Sequence, residues 1–166
     1  MAQECGIRLA FHPDDPPISP FIGVARVLST PEGLQRLLDM VPSPNLGLLF
    51  CQGTVATMAD VDAVEQIYHF GRQGKIFHAH FRNPRGEGRF FDEVFPDEGD
   101  TDMLAAMQAY RALGFEGLIR IDHAPGVVGD SRGAPRSNAF QLGYARGLLQ
   151  AAELLEAQAA TQREDA

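Results

Sequence analysis

Four short apolar runs alternate with four amphipathic stretches along this chain, and that alternation limits its fold more than any other feature. The runs are Gly6–His12, Leu46–Cys51, Lys75–Phe81 and Gly117–Asp122, each rich in Ile, Leu or Phe. Runs of this length and composition read as strands buried on both faces of a parallel sheet. Between them, Leu34, Leu37, Leu38 and Val41 recur at helical spacing behind Thr30-Pro31-Glu32, a sequence suited to capping and starting a helix. Val61, Val64 and Tyr68 stripe a second helix that Gly71 or Gly74 should stop, and Met103, Met107 and Tyr110 stripe a third that ends at Gly114. The last helix is expected over roughly 140–157. Residues 1–158 read as one domain, with 159–166 a disordered tail.

The order β-α-β-α-β-α-β-α calls for parallel strands joined by right-handed crossovers. Two α/β architectures satisfy it: a small open doubly wound sheet, or half of an eight-stranded TIM barrel. A whole barrel takes about 250 residues, so a chain of 166 supplies four βα units, about half of one. The loops after the first, third and fourth strands are long and rich in Gly, Pro and charge. Loops in that position carry the chemistry of α/β proteins.

Charge and composition narrow the partners. Fourteen basic against 22 acidic side chains leave a formal charge of −8, so no basic face is on offer to nucleic acid. No apolar run reaches the roughly 18–20 residues of a membrane span. The start, Met1-Ala2-Gln3-Glu4, lacks the charged and apolar regions of a signal peptide. Cys5 and Cys51 alone make no disulfide framework. The expectation is a soluble, cytoplasmic chain.

The residues that end the strands carry the chemical information. They are His12, Cys51, His80 and Asp122. Two imidazoles, a thiolate and a carboxylate are all competent ligands for a divalent transition metal. A strand-end His or a core Cys is unremarkable alone, but four ligand types at one topological position in four successive units point to a shared metal site. In a curling parallel sheet these ends meet on one rim.

Strand alternation adds detail. His78, His80 and Arg82 share one face of the third strand, and Phe77, Ala79 and Phe81 take the other. Arg82 suits an anionic substrate such as a sugar carboxylate, or equally an ion pair with a neighbouring carboxylate. His78 lies one pleat deeper than His80, in a packing or supporting position. Asp14 and Asp15, in a loop stiffened by Pro13, Pro16 and Pro17, could orient His12, meet substrate hydroxyls, or simply form the turn. His123 adjoins Asp122 and is a candidate general acid or base. The acidic stretch 97–102 reads as a solvated loop leading into a helix cap and lacks calcium-loop spacing.

Taken together, His12-Pro13-Asp14-Asp15-Pro16-Pro17, Leu49-Phe50-Cys51-Gln52-Gly53, His80-Phe81-Arg82-Asn83, Gly99-Asp100-Thr101-Asp102-Met103 and Asp122-His123 resemble the mannonate dehydratase family, in order and at similar spacings. The resemblance implies a xylose-isomerase-like TIM barrel, of which this chain corresponds to the C-terminal half. It implies a bound Mn²⁺ or Fe²⁺ and the removal of water from D-mannonate to give 2-dehydro-3-deoxy-D-gluconate, in hexuronate (glucuronate) catabolism. It places the metal ligands on His12, Cys51, His80 and Asp122 and the catalytic histidine on His123, with Arg82, Asp14 and Asp15 as candidate substrate contacts. The family's catalytic tyrosine, in the loop after the last strand, has no counterpart in 133–138. The partners implied are a sugar acid and either a second copy of the chain or a missing N-terminal half. Two competing readings remain: a metal-dependent sugar isomerase or epimerase of the same barrel superfamily, and an inactive half-barrel that at most binds metal.

Overall fold

The computed structural model describes residues 1–164. Its strands and helices follow the order β1 (Leu9–Phe11), α1 (Pro31–Met40), β2 (Leu46–Cys51), α2 (Gln52–Ala56), α3 (Ala63–Arg72), β3 (Ile76–His80), β4 (Arg85–Glu87), β5 (Phe90–Asp92), α4 (Met103–Ala112), β6 (Leu118–Arg120) and α5 (Pro135–Glu164). The four expected strands form one parallel sheet ordered β1-β2-β3-β6. Leu9 pairs with Leu46, Cys51 with His80, and His80 with Arg120. Of the two architectures open to the sequence, the half-barrel is the one adopted, each strand lying beside its successor in the βα order.

The helices begin where their caps dictate. Thr30 accepts from the Gly33 amide with Pro31 following it, Asp62 accepts from the Val64 and Glu65 amides, and Asp102 accepts from the Ala105 amide. The apolar stripes then meet the outer face of the sheet. Leu34, Leu38, Ile67, Phe70, Met103, Met107 and Tyr110 pack against Leu46, Leu48, Phe50, Ala79 and Phe81 in a single buried core.

Three expectations need correction. The outer strands are shorter than expected, and Gly6 falls in a turn with positive φ rather than in β1. Only β2 and β3 are well covered; Leu9 is 44% and Leu118 64% exposed. Both lie on edge strands that have no further neighbour among the described residues. Third, the final helix starts at Pro135 and runs to Glu164, through most of the segment expected to be a tail; 165–166 lie outside the described residues. Two elements are additional to those expected: the long loop between β3 and α4 contains the antiparallel hairpin β4–β5, turning at Gly88-Arg89, and α2 follows β2 without a break. A five-residue helix and three-residue strands are too short to show a period.

Candidate active site at the strand ends

The rim at the C-terminal ends of the strands gathers the residues singled out above. Ligand atoms of His12, Cys51 and His80 all lie within 4.8 Å of one another, with Cys51 fully buried. Metal bonds of about 2.0–2.3 Å make such a spacing natural for donors sharing one ion. Asp122 joins them: its Oδ2 lies 3.6 Å from Cys51 Sγ and 3.5 Å from His80 Nδ1.

Two details fit this set to a metal. His12 Nδ1 lies 2.6 Å from the Pro13 carbonyl, so it carries the proton and leaves Nε2 with a free lone pair. His80 Nδ1 is buried and has no hydrogen-bond partner among the described residues. At 3.5 Å from Asp122 it is outside hydrogen-bond geometry, and the attraction between them is electrostatic. An orphaned imidazole nitrogen facing a thiol and a carboxylate fits a set of donors able to hold a divalent metal. The Asp122 carboxylate, then the Cys51 thiol, push His80 up to about 9, against the opposing cost of burial. On Asp122 burial acts upward, but His80 and then His123 outweigh it and hold the carboxyl well below the usual range. His78 sits beneath, its ring 5.3 Å from that of His80; burial, then His80 and Arg120, lower its pKa and favour the neutral form.

Around this centre runs a chain of ion pairs. Arg82 is 3% exposed and donates from Nη1 to Asp15 Oδ2 at 2.8 Å, from Nε to Glu93 Oε2 at 3.0 Å, and from Nη2 to Glu93 Oε1. Thr54 Oγ1 donates to the same Asp15 oxygen at 3.1 Å and lies 3.4 Å from Arg82 Nη1. Burial alone would lower the Arg82 pKa, yet Glu93 and Asp15 more than reverse it, so the guanidinium stays charged. The ion-pair alternative for Arg82 therefore describes its surroundings. Asp14 is committed elsewhere, accepting from Arg26 Nε at 2.8 Å and from the Leu28 amide at 2.7 Å, which closes the first loop on itself. His123, 55% exposed, places Nδ1 3.1 Å from Glu93 Oε1 and Nε2 3.8 Å from Asp122 Oδ2.

Sequence reasoning missed Glu93, which reaches the site only because the β4–β5 hairpin folds back over it. It also left Asn83, Gln52 and Gly53 without roles. The Asn83 side chain bonds the Pro96 and Thr101 carbonyls and the Thr101 amide, stapling the long loop shut. Gln52 is fully buried and reaches the Arg82 carbonyl, and Gly53 leaves room for the Arg82 stem, where a Cβ would meet Cγ at 2.5 Å. Tyr144 stacks on Phe140 within α5.

The fold and rim define a class: an α/β half-barrel with a donor set able to hold a divalent metal. Solved barrels of the xylose isomerase and sugar epimerase kind share this fold at TM-scores of 0.60–0.69 and 12–20% identity. A model of the D-mannonate dehydratase family (UxuA) matches residues 1–163, and this chain belongs to that family. It is 41% identical over 138 residues to mannonate dehydratase 2 of Halalkalibacterium halodurans, covering 81% of this chain and 39% of that one. To the mannonate dehydratase of Thermotoga petrophila it is 38% identical over 133 residues, 78% of this chain and 37% of the other. The solved mannonate dehydratase of Streptococcus suis superposes at a TM-score of 0.85 and 28% identity, over 93% of this chain and 46% of that one. The chain thus spans less than half the length of the curated relatives it matches.

Proposed function

We propose that this chain carries the metal-binding half of a mannonate dehydratase site and serves the removal of water from D-mannonate to give 2-dehydro-3-deoxy-D-gluconate, a cytoplasmic step of hexuronate catabolism. The observation that carries the reading is the convergence of His12, Cys51 and His80 within 4.8 Å, with Asp122 and His123 beside them, in a member of this family.

The reaction removes a very weakly acidic proton from C2, beside a carboxylate, and expels the C3 hydroxyl. His12 Nε2, Cys51 Sγ, His80 and Asp122 would hold Mn²⁺ or Fe²⁺, which when bound stabilises negative charge developing on substrate oxygens. A single thiolate among nitrogen and oxygen donors raises affinity for later transition metals, so availability selects the ion. His123 is the proton-transfer group, half exposed, with Nε2 on the side of Asp122 and Nδ1 against Glu93. Asp15 and Arg82 shape the wall of the site and keep its charges fixed. With Arg82 committed to two carboxylates, its part in substrate binding is to position Asp15 and Glu93 rather than to grip the sugar acid directly.

The open edges of β1 and β6 call for a covering partner, either a second copy of this chain or an N-terminal half of the barrel. The deciding experiment incubates the purified chain with D-mannonate and Mn²⁺ under reducing conditions and measures keto-deoxy acid. Formation of that product supports dehydration. An isomeric sugar would instead favour the isomerase or epimerase reading, and no turnover by folded, metal-loaded protein would reject activity of this chain by itself.

A further inference from the structure

With Arg82 locked between Asp15 and Glu93, the inner face of the sheet still offers one unpaired guanidinium at the strand ends. Arg120 is the last residue of β6. It pairs in register with His80 on β3, and paired residues of neighbouring parallel strands project to the same side. Its neighbour Ile119 packs against the core on the outer side, so alternation also turns Arg120 inward, to the side that carries Asp122. The side chain is exposed. Its charge is one of those that, after burial and His80, hold the His78 ring below its ordinary pKa. The ion pairs of the described residues engage Arg26, Arg82 and Arg111 and leave Arg120 out. Arg8 has no carboxylate either, but it precedes β1, at the opposite end of the strands, and stacks on Phe77 at 4.9 Å.

From this placement we infer that Arg120 is the residue that binds the carboxylate of the substrate, an aldonate. The inference rests on the dehydratase reading for the identity of that acid. A guanidinium presents a planar fork of N–H donors that matches both oxygens of a carboxylate, and it stays charged at any working pH. An anion entering the rim meets Asp15, Glu93 and Asp122, all of its own sign, and Arg82 is already spent on the first two. Arg120 is the cation left to oppose them. The chemistry agrees with the position. C2, which loses its proton, is bonded to the carboxylate carbon, and Arg120 lies three residues before His123 on the same segment. A carboxylate held on β6 therefore keeps C2 beside the proton-transfer group and leaves the hydroxyl chain to the rest of the rim. A neutral sugar or polyol of the same length lacks that anchor, so Arg120 selects for sugar acids.

The test follows the arginine side chain itself. Spectra of the arginine ¹⁵Nε signals of the full 166-residue chain, metal-free and with Zn²⁺ as a diamagnetic ion, are assigned with Arg120→Gln and titrated with sodium D-mannonate. The Arg120 signal should shift saturably with D-mannonate and stay in place with neutral D-mannitol, or with sodium acetate at equal ionic strength. Arg120→Gln should weaken D-mannonate binding, read from backbone amide shifts, by about 10- to 100-fold. Arg120→Lys, which keeps the charge without the fork, should recover part of the loss. A stationary Arg120 signal under both metal conditions overturns the inference. So does an equal response to acetate, or an unchanged affinity in a natively folded Arg120→Gln protein. If the wild-type chain turns over D-mannonate with Mn²⁺ and Arg120→Gln leaves kcat and KM as they were, the dehydratase reading stands and the role of Arg120 falls. Saturable binding at Arg120 without turnover rejects dehydration by this chain and keeps the carboxylate subsite.

Discussion

At the scale of single residues, two short motifs turn out to be packed against each other position by position. In His80-Phe81-Arg82-Asn83 the first residue faces His12 and Cys51, the second enters the core, the third anchors two carboxylates and the fourth staples the loop. In Cys51-Gln52-Gly53-Thr54 the thiol joins the donors and the other three cradle Arg82. Gly53→Ala is therefore expected to cost about 1–3 kcal/mol, because the added methyl meets an arginine pinned at both ends that cannot yield. The midpoint of urea unfolding checks it; a midpoint equal to that of wild type would show that Arg82 is free to move. The same centre sets a pH dependence. His80 is raised from 6.5 to about 9 in the folded, metal-free chain, so its charged form stabilises the fold. That contribution is complete below pH 6.5 and disappears as pH rises through 9. The depressed Asp122 works the other way, adding stability above the ordinary carboxylate range and losing it on acidification. Urea midpoints of the metal-free chain should fall between pH 6.5 and 9, and His80→Gln should flatten that decline. An identical alkaline decline in the variant would assign the effect to another group.

At the scale of elements, the caps were readable and the insertions were not. Thr30-Pro31-Glu32 announced α1, and the acidic stretch 97–102 ended, as expected, in the cap of α4. Asp102→Ala should cost about 1 kcal/mol, the ordinary value of a lost N-cap, since its carboxylate accepts from the Ala105 amide. Thermal unfolding of the variant measures this, and substitution by Asn or Ser should restore most of it. A loss no larger than that of a neighbouring exposed site would mean that packing of α4, rather than its cap, fixes where the helix begins. The β4–β5 hairpin escaped notice for a physical reason: three-residue strands carry too little pattern, and its place is set by distant contacts. The Gly88 amide donates to the Thr57 carbonyl and the Gly86 amide to Asp100, neither of which is adjacent in sequence. Glu93, carried on the hairpin's exit, was invisible for the same reason.

At the scale of the whole molecule, the sheet is a ring cut open. Both edges, β1 and β6, expose apolar side chains, including Leu9 and Leu118, and border no further strand among the described residues. Edges of this kind invite further strands. Four parallel strands with one free edge of each kind allow β6 of one copy to lie beside β1 of a second, and a two-fold axis would make that contact twice. Light scattering at micromolar concentration should accordingly report a mass above the 18.1 kDa of the chain. A monodisperse monomer would reject self-association and leave the N-terminal half of the barrel as the missing cover.

The sequence by itself determined the order of the strands and helices, their parallel pairing and the five residues His12, Cys51, His80, Asp122 and His123 at one rim, while its pattern left an open doubly wound sheet and a half-barrel both possible. It could do so because each βα unit repeats the same local pattern, and a strand end is a local feature that hydrophobic periodicity marks. The uses of the charged residues were decided only by the tertiary structure. Arg82 could have faced a substrate or a neighbouring carboxylate, Asp14 could have oriented His12 or closed its own loop, and Glu93 gave no sign at all. Each of those outcomes depends on which charges lie within a few ångströms across separate loops, and electrostatic partners at that range carry no period along the chain. Burial then fixes the choice, because a guanidinium 3% exposed persists only with its carboxylates in place.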